Sequence, residues 1–299
     1  MTLFQSLTLA VAAASLSACA SSGAISAMQD DAPDPSAQSV LLVFEDGELV
    51  RTEGDGSIDD PTLYPLYSVA KPMTVAAALR LAEQRRLDPV ADVRTIAPAL
   101  AGLPAAITPL QLASHSSGIR HYRDGEAEGE CRDLADAAAR FVSNPLLFEP
   151  GEGTAYSSHG FVALSAVIAS AHGTSFDAAM IALVFDPLGI DPQPGTKAEG
   201  FPGLSCKFGA GGYVASADDV ARFATGLFAP DFLSARSRAM FLRGKPAYEA
   251  RGRGPLGSAR MWVRPERQAA IVLLVHGEQT PTLNRLEAAF EDEMARLSR

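Results

Sequence analysis

Strand-like apolar runs stand at opposite ends of this chain, and their separation constrains the fold more than any other feature. Ser39 to Phe44 is a β-branched and aliphatic run, Glu45-Asp46-Gly47 supplies a turn, and Leu49 and Val50 start a return strand,. Far along the chain, Ala259 to Val263 and Ala270 to Val275 flank Arg264-Pro265-Glu266-Arg267, which reads as a hairpin connection,. The chain closes with Leu283, Leu286, Phe290, Met294 and Leu297, which share one face of a terminal helix,. Between the ends, Ser68 to Arg86 has helical periodicity, with Met73, Ala76, Ala77, Leu79 and Leu81 on or near a common face,. Pro72 falls early in that helix, where a missing N–H costs little,. From about residue 87 to residue 204, helical stretches alternate with turns marked by Pro and Gly,. The pattern predicts an α/β fold: an antiparallel sheet built from both termini and flanked by helices, carrying an inserted, mostly helical lobe.

The N-terminal segment speaks to location. Met1 to Ser17 contain no charged side chain, and Leu7 to Leu16 form an apolar run too short to span a bilayer,. The run ends in Leu16-Ser17-Ala18-Cys19, and small residues before a cleavage point mark a removable signal over residues 1–18,. A cysteine directly after it resembles the bacterial lipobox, in which Cys19 is lipidated and becomes the mature N-terminus. No Lys or Arg precedes the apolar run; the plainer alternative is a secretory signal followed by a chance cysteine. Residues 19–38, rich in Ala, Ser, Asp and Pro, read as a disordered tether,. Residues 39–299 remain as one large folded domain, expected in the periplasm and held to the membrane by a lipid anchor.

The net charge of −10 argues against nucleic acid as a partner, because phosphate binding needs a basic face,. Cys131 and Cys206 remain after Cys19, and an oxidising periplasm permits a disulfide between them,. Two unrelated buried thiols fit the sequence equally well, and neither cysteine has metal-ligand spacing.

Ser68-Val69-Ala70-Lys71 puts a hydroxyl and an amine three residues apart, which at the start of a helix stacks them on one face,. A free Ser hydroxyl is a poor nucleophile and needs such a base. Alone the match is weak, since a helix-capping Ser and a solvated Lys would also produce it. Other segments follow in order. Arg86-Leu87-Asp88-Pro89-Val90 is a Leu-Asp turn, and Ile107 to Ile119 reads ITPLQLASHSSGI. Pro150 to Ser158 reads PGEGTAYSS, Asp186 to Ile190 reads DPLGI, and Gly211 to Phe223 reads GGYVASADDVARF.

In this order, the segments closely resemble the motifs of the serine β-lactamase and penicillin-binding-protein family, in particular its class C β-lactamase-related members. The resemblance covers about residues 39–299 and implies a β-lactamase/transpeptidase-like fold. It implies Ser68 as nucleophile, with Lys71 and Tyr156 handling its proton. Ser158 stands where the family has Asn, so it keeps one hydrogen bond but loses the double reach of the amide. In the third motif, Ala250 to Gly257 (ARGRGPLG) aligns with a "GHGGGxPG" pattern. Arg251 then replaces the family's His or Lys, and Gly254 falls where a backbone N–H helps form the oxyanion hole. His276-Gly277 reads as a strand-end turn, and His115, His121 and His159 read as structural.

The resemblance therefore implies acyl transfer through an acyl-enzyme on a small peptide, ester or β-lactam, with no metal or organic cofactor required. A non-catalytic lipoprotein of the same fold, binding cell-wall peptide or a protein partner, is the other reading, and Ser158 and Arg251 are its warrant. An α/β-hydrolase elbow is missing, because Gly203-Leu204-Ser205-Cys206-Lys207 fails at its fifth position,. Scattered His residues supply no metal-ligand cluster. The lipobox generates a test: Cys19→Ser should move the protein from the membrane fraction to the soluble one, and the wild type should take up a fatty-acid analogue. A wild type that never carries that label has no such anchor.

Overall fold

The computed structural model describes residues 38–299 apart from 124, 127, 128, 199, 202 and 278–280. The expected signal, Cys19 and nearly all of the expected tether lie outside the described residues. Gln38, which composition assigns to the tether, instead opens the first strand. It lies opposite His276, so its backbone joins the ladder that the apolar residues after it form.

Five strands form the main sheet: β1 (Gln38–Glu45), β2 (Glu48–Gly54), β6 (Tyr248–Gly254), β7 (Gly257–Arg264) and β8 (Ala269–His276). Their order is β2-β1-β8-β7-β6, with every neighbouring pair antiparallel. The sheet is thus assembled from both ends of the chain, as the separated apolar runs predict. Three short strands, β3 (Tyr64–Pro65), β4 (Gln193–Pro194) and β5 (Tyr213–Ala215), form a second sheet in the order β3-β5-β4. The principal helices are α1 (Ala70–Glu83), α2 (Pro109–Ala113), α3 (Ser158–His172), α4 (Ala217–Gly226), α5 (Ala235–Phe241) and α6 (Pro281–Leu297).

Both faces of the main sheet are covered, which explains why β1 is apolar without alternation. Val40, Leu42 and Phe44 face the larger core, shared with α1, α3 and α4. Leu41 and Val43 face the opposite way and pack with Leu283, Leu286 and Phe290 of α6. That helix also lays Met294 and Leu297 against the sheet, so the periodic face read from the sequence is the buried face. Between α6 and β7, Arg260 is only 2% exposed. Its guanidinium lies 3.9 Å from the centre of the Phe290 ring and is paired with Glu249, Glu287 and Glu291. A buried cation is tolerated there because carboxylates and a ring face replace its water.

A one-turn 3-10 segment, Tyr67–Val69, leads directly into α1. Pro72 is the third residue of α1, among the first-turn positions whose N–H has no intrahelical partner,. α1 is buried on nearly all sides, through Ala70, Lys71, Met73, Thr74, Ala76, Ala77 and Leu81. Its small residues let α3 approach closely. Cys131 and Cys206 form a disulfide, which joins the segment before residue 134 to the turn that leads to Gly211.

Phe290→Ala should cost about 3–5 kcal/mol, the range for emptying a buried aromatic site. It also strips Arg260 of its ring face. Urea unfolding measures this, and a loss below about 1 kcal/mol would mean that α6 does not anchor the sheet.

Candidate active site

Four side chains chosen from the sequence converge at the N-terminal end of α1. Ser68 Oγ lies 2.5 Å from the Tyr156 hydroxyl and 2.9 Å from Lys71 Nζ. Lys71 Nζ also donates to the Ala210 carbonyl at 2.6 Å and lies 3.1 Å from Ser158 Oγ. The i, i+3 spacing of Ser68 and Lys71 accounts for their stacking. Tyr156 and Ser158 come from the N-terminal approach to α3, where Ser157 caps the helix by accepting from the Gly160 N–H at 2.9 Å,.

Burial sets the chemistry of Lys71. It is 3% exposed, and burial pushes its amine down to about 7, with the charge of Lys207 adding to the effect,. A neutral amine has two N–H groups and one lone pair. Ala210 can only accept, so one N–H goes there and the second can go to Ser158. The lone pair is then left for the Ser68 hydroxyl. Tyr156 moves the other way: burial raises its phenol above the ordinary value, against the lowering effect of hydrogen bonds from Ser68 and Ser158. Its ring edge remains open to the cleft while its hydroxyl turns inward to Ser68. Near neutrality the pair is an amine that can accept a proton and a phenol that can donate one.

Two histidines hold this arrangement in place. His115 Nδ1 accepts from the Ser157 N–H at 3.2 Å, and the His115 carbonyl accepts from the Ala155 N–H at 2.9 Å. His121 Nδ1 accepts from the Ser158 N–H at 3.1 Å. Both rings pack on Tyr156, at centroid distances of 4.6 and 5.3 Å. Burial and the nearby Lys71 charge push His115 down to about 4, so it stays a neutral acceptor at neutral pH. His159 lies apart from Ser68, stacked on Phe141 with its centre 4.7 Å away. His276 ends β8 and stacks on Phe201.

The opposite wall of the cleft is the free edge of β6. Gly252 approaches Ser68 so closely that a Cβ there would meet Leu66 O at 2.3 Å and Ser68 N at 2.8 Å. A Cβ on Gly254 would fall 2.4 Å from the Tyr67 ring. Glycine is required at both positions. Tyr67 itself adopts φ +44, a region that a bulky side chain avoids,. Its hydroxyl accepts from the Leu256 N–H at 3.1 Å, which locks the strained residue under the β6–β7 hairpin,.

The third motif departs from its expected register. Arg251 lines the cleft cavity but does not offer a free cation to Ser68. Its guanidinium pairs with Glu249 at 3.1 Å and with Glu291 of α6 at 2.9 Å. Strand alternation is the reason: Ala250 and Gly252 turn inward, while Glu249, Arg251 and Arg253 turn outward,. Gly254 likewise packs on Tyr67 rather than lying beside Ser68, a place that Gly252 takes. The cleft, about 560 Å³, is also lined by Arg243, Lys245 and Tyr248, and nothing in the motif pattern singles these out. The Ala210 carbonyl was equally invisible, although its neighbour Gly211 opens a motif.

Comparison with known proteins places these features in a group. The family model described as Beta-lactamase matches residues 30–295. Esterase EstB of Burkholderia gladioli is 33% identical over 177 residues, which is 50% of this chain and 45% of the esterase, so the match spans less than half of that relative's length. Among solved structures, SurE with D-Leu superimposes with a TM-score of 0.67 at 23% identity, covering 87% of this chain and 71% of that one. The penicillin binding protein from Bacillus halodurans gives a TM-score of 0.71 at 18% identity, covering 85% and 95%. At such identities the two structures establish the fold.

The depressed amine has a consequence for stability. Between pH 7 and the ordinary lysine value of 10.5, the unfolded chain keeps the Lys71 proton and the folded chain sheds it. The unfolded state then binds more protons, so stability at this residue rises with pH. The cost of burying the amine is fully felt below pH 7 and is relieved above it. Urea unfolding of wild type and Lys71→Met at pH 6, 8 and 10 should show the wild type gaining on the variant, by up to about 1.4 kcal/mol per pH unit above 7. A gap that stays constant would mean that the amine is as well hydrated folded as unfolded.

Proposed function

This chain belongs to the Beta-lactamase family, and on that premise we propose that it is a serine acyl hydrolase of the class C-related type, working through an acyl-enzyme on Ser68. The observation that carries this reading is the dry amine of Lys71, 2.9 Å from Ser68 Oγ, with the phenol of Tyr156 on the other side. Lys71 takes the proton as Ser68 attacks a carbonyl carbon, and Tyr156 donates one to the departing group. Water then attacks the acyl-enzyme with the same pair acting in reverse.

The oxyanion would be held by the Ser68 N–H, at the N-terminal end of α1, and by an N–H on the free edge of β6. Gly254 and Gly257 close a two-residue hairpin, and the closing pair of such a hairpin exchanges its hydrogen bonds,. Alternation then turns the Gly252 and Gly254 N–H groups toward β7 and the Arg253 N–H outward. The Arg253 N–H, one residue beyond the Gly252 that packs on Ser68, is therefore the proposed second donor.

The match to an esterase supports an ester as substrate. Ser158 and Arg251, the warrant for a non-catalytic protein, lose that force, because Ser158 completes the Lys71 shell and Arg251 serves the contact with α6. The disulfide supports the export reading, since such bonds persist in oxidising compartments,. On this proposal the enzyme works in the periplasm, tethered through Cys19.

A fluorophosphonate probe and p-nitrophenyl acetate test the proposal together. Wild type should label and turn over, and Ser68→Ala should do neither while keeping its unfolding midpoint. Tyr156→Phe should lower kcat by on the order of 10² or more. The rate of acylation should rise with pH through about 7 as Lys71 loses its proton. Labelling that survives in Ser68→Ala would overturn the assignment of the nucleophile.

A further inference from the structure

A second cavity adjoins the catalytic cleft. It is a slot of about 90 Å³ between α1, α2 and α5, and Leu79, Leu110, Ala113 and Phe241 supply apolar walls. His115, Arg243 and Tyr248 line both the slot and the cleft that contains Ser68, so the two spaces lie on either side of these three residues. Leu110, one of the lining residues, is 44% exposed, a large apolar side chain that folding has left partly unburied. Arg243 follows α5 with φ +56, a strained conformation for a long side chain, and its guanidinium donates to the Ser114 carbonyl at 3.3 Å,. That bond fastens the junction between α5 and the segment after α2, so the slot is framed on two sides by fixed backbone.

The side of the cleft on which the slot lies decides which part of a substrate could reach it. His115 packs its ring 4.6 Å from that of Tyr156, so the junction lies on the Tyr156 side of Ser68. The Gly252–Arg253 stretch of β6, where the carbonyl oxygen would be held, lies toward the other end of that strand from Tyr248. A carbonyl carbon bonded to Ser68 Oγ, with its oxygen toward β6, turns its leaving oxygen toward the Tyr156 hydroxyl. Atoms beyond that leaving oxygen then run past the Tyr156 ring toward His115.

We infer that the slot receives the aliphatic chain of a leaving alcohol, which makes the favoured substrates acyl esters of short linear alcohols. The inference rests on the hydrolase reading and deepens it. In the step concerned, the bond from Ser68 Oγ to the acyl carbon forms and the bond from that carbon to the alkoxy oxygen breaks. The proton from Ser68 goes to Lys71, and the alkoxy oxygen takes its proton from Tyr156 and departs as the alcohol. Water then cleaves the acyl-enzyme and restores both groups. Size sets the chain length. A cavity of about 150 Å³ holds a benzene ring, so a slot of this volume holds about four carbons by proportion. Arg243 and Tyr248 at the junction favour a chain that is uncharged where it passes them.

The test is a series of methyl, ethyl, propyl, butyl and hexyl acetates followed by pH-stat, beside p-nitrophenyl acetate and butyrate, on the full-length protein. In wild type, kcat/KM should climb about four-fold per methylene to about butyl and then level off. The p-nitrophenyl pair, which varies the acyl side, should show no such climb. Ala113→Phe fills the slot and should lower the butyl-to-methyl ratio at least ten-fold. Leu110→Ser, at a position 44% exposed, should lower it several-fold while the unfolding midpoint reports any loss of fold. A flat alkyl series in an active wild type, or a climb confined to the acyl side, overturns the inference. Failure of the hydrolase reading looks different, with no Ser68 labelling and no ester turned over. In that case saturation-transfer NMR with 1-hexanol and methanol still reads the slot. Binding of hexanol to wild type that Ala113→Phe abolishes supports it, and equal signals in both proteins overturn it.

Discussion

A lysine amine removed from water beside a serine hydroxyl is costly, and much of the surrounding architecture serves to hold it there. Burial penalises the ammonium form, so the residue can be kept only where neighbours satisfy its remaining hydrogen-bonding capacity. The partners of Lys71 come from separate parts of the chain: Ser68 from the same helix, Ser158 from the start of α3 and Ala210 from the turn before Gly211. The rings of Tyr156 and Phe161, 5.0 and 5.5 Å from the amine, close the remaining directions. α1 must therefore lie in the middle of the molecule, and its alanines permit the close approach of α3 that completes the shell.

The other wall depends on a steric constraint rather than a charge. The β6 edge comes so near to Tyr67 and Ser68 that only glycine fits at 252 and 254. The outward positions between and beside them carry Glu249, Arg251 and Arg253, of which Glu249 pairs with Arg260 and Arg251 with Glu291 of α6. One strand thus does two jobs on its two faces, contact with the Tyr67–Ser68 turn and an ionic contact with α6. The same alternation explains why a cation in the third motif does not become a cation aimed at Ser68.

Charge is distributed to match. The chain carries a net charge of −10, yet the cleft is lined by Lys71, Arg243, Lys245 and Arg251. Arg251 is neutralised by Glu249 and Glu291, and His115 and His121 are lowered by burial and by the Lys71 charge. Those histidines act as uncharged acceptors that hold the Tyr156–Ser158 backbone. Titration at the site near neutrality thereby concentrates on one group, Lys71, instead of being spread over neighbouring imidazoles.

The sequence by itself determined the sheet built from both termini, the terminal helix and its buried face, and the residues that meet around Ser68. The strands, α6 and the Ser68–Lys71 pair were legible from local periodicity or spacing: alternation and apolar runs, three-and-four spacing, and one helical turn. Tyr156 and Ser158 were legible only through the resemblance of their segment to a family motif. The sequence left open the pairing of Cys131 with Cys206 and misplaced Arg251 and Gly254. It gave no sign of the Ala210 carbonyl, of Arg243 or of the slot beside α2. Each of these was decided by tertiary structure, because each depends on which face of a strand or turn meets another element distant in the chain. Register in β6 is one example, since a shift of one residue exchanges the faces, and ARGRG carries arginine and glycine at alternate positions that either reading could use. Close approach to the Tyr67–Ser68 turn decides between them: the face that meets it has no room for a Cβ, and the arginines must therefore lie on the other.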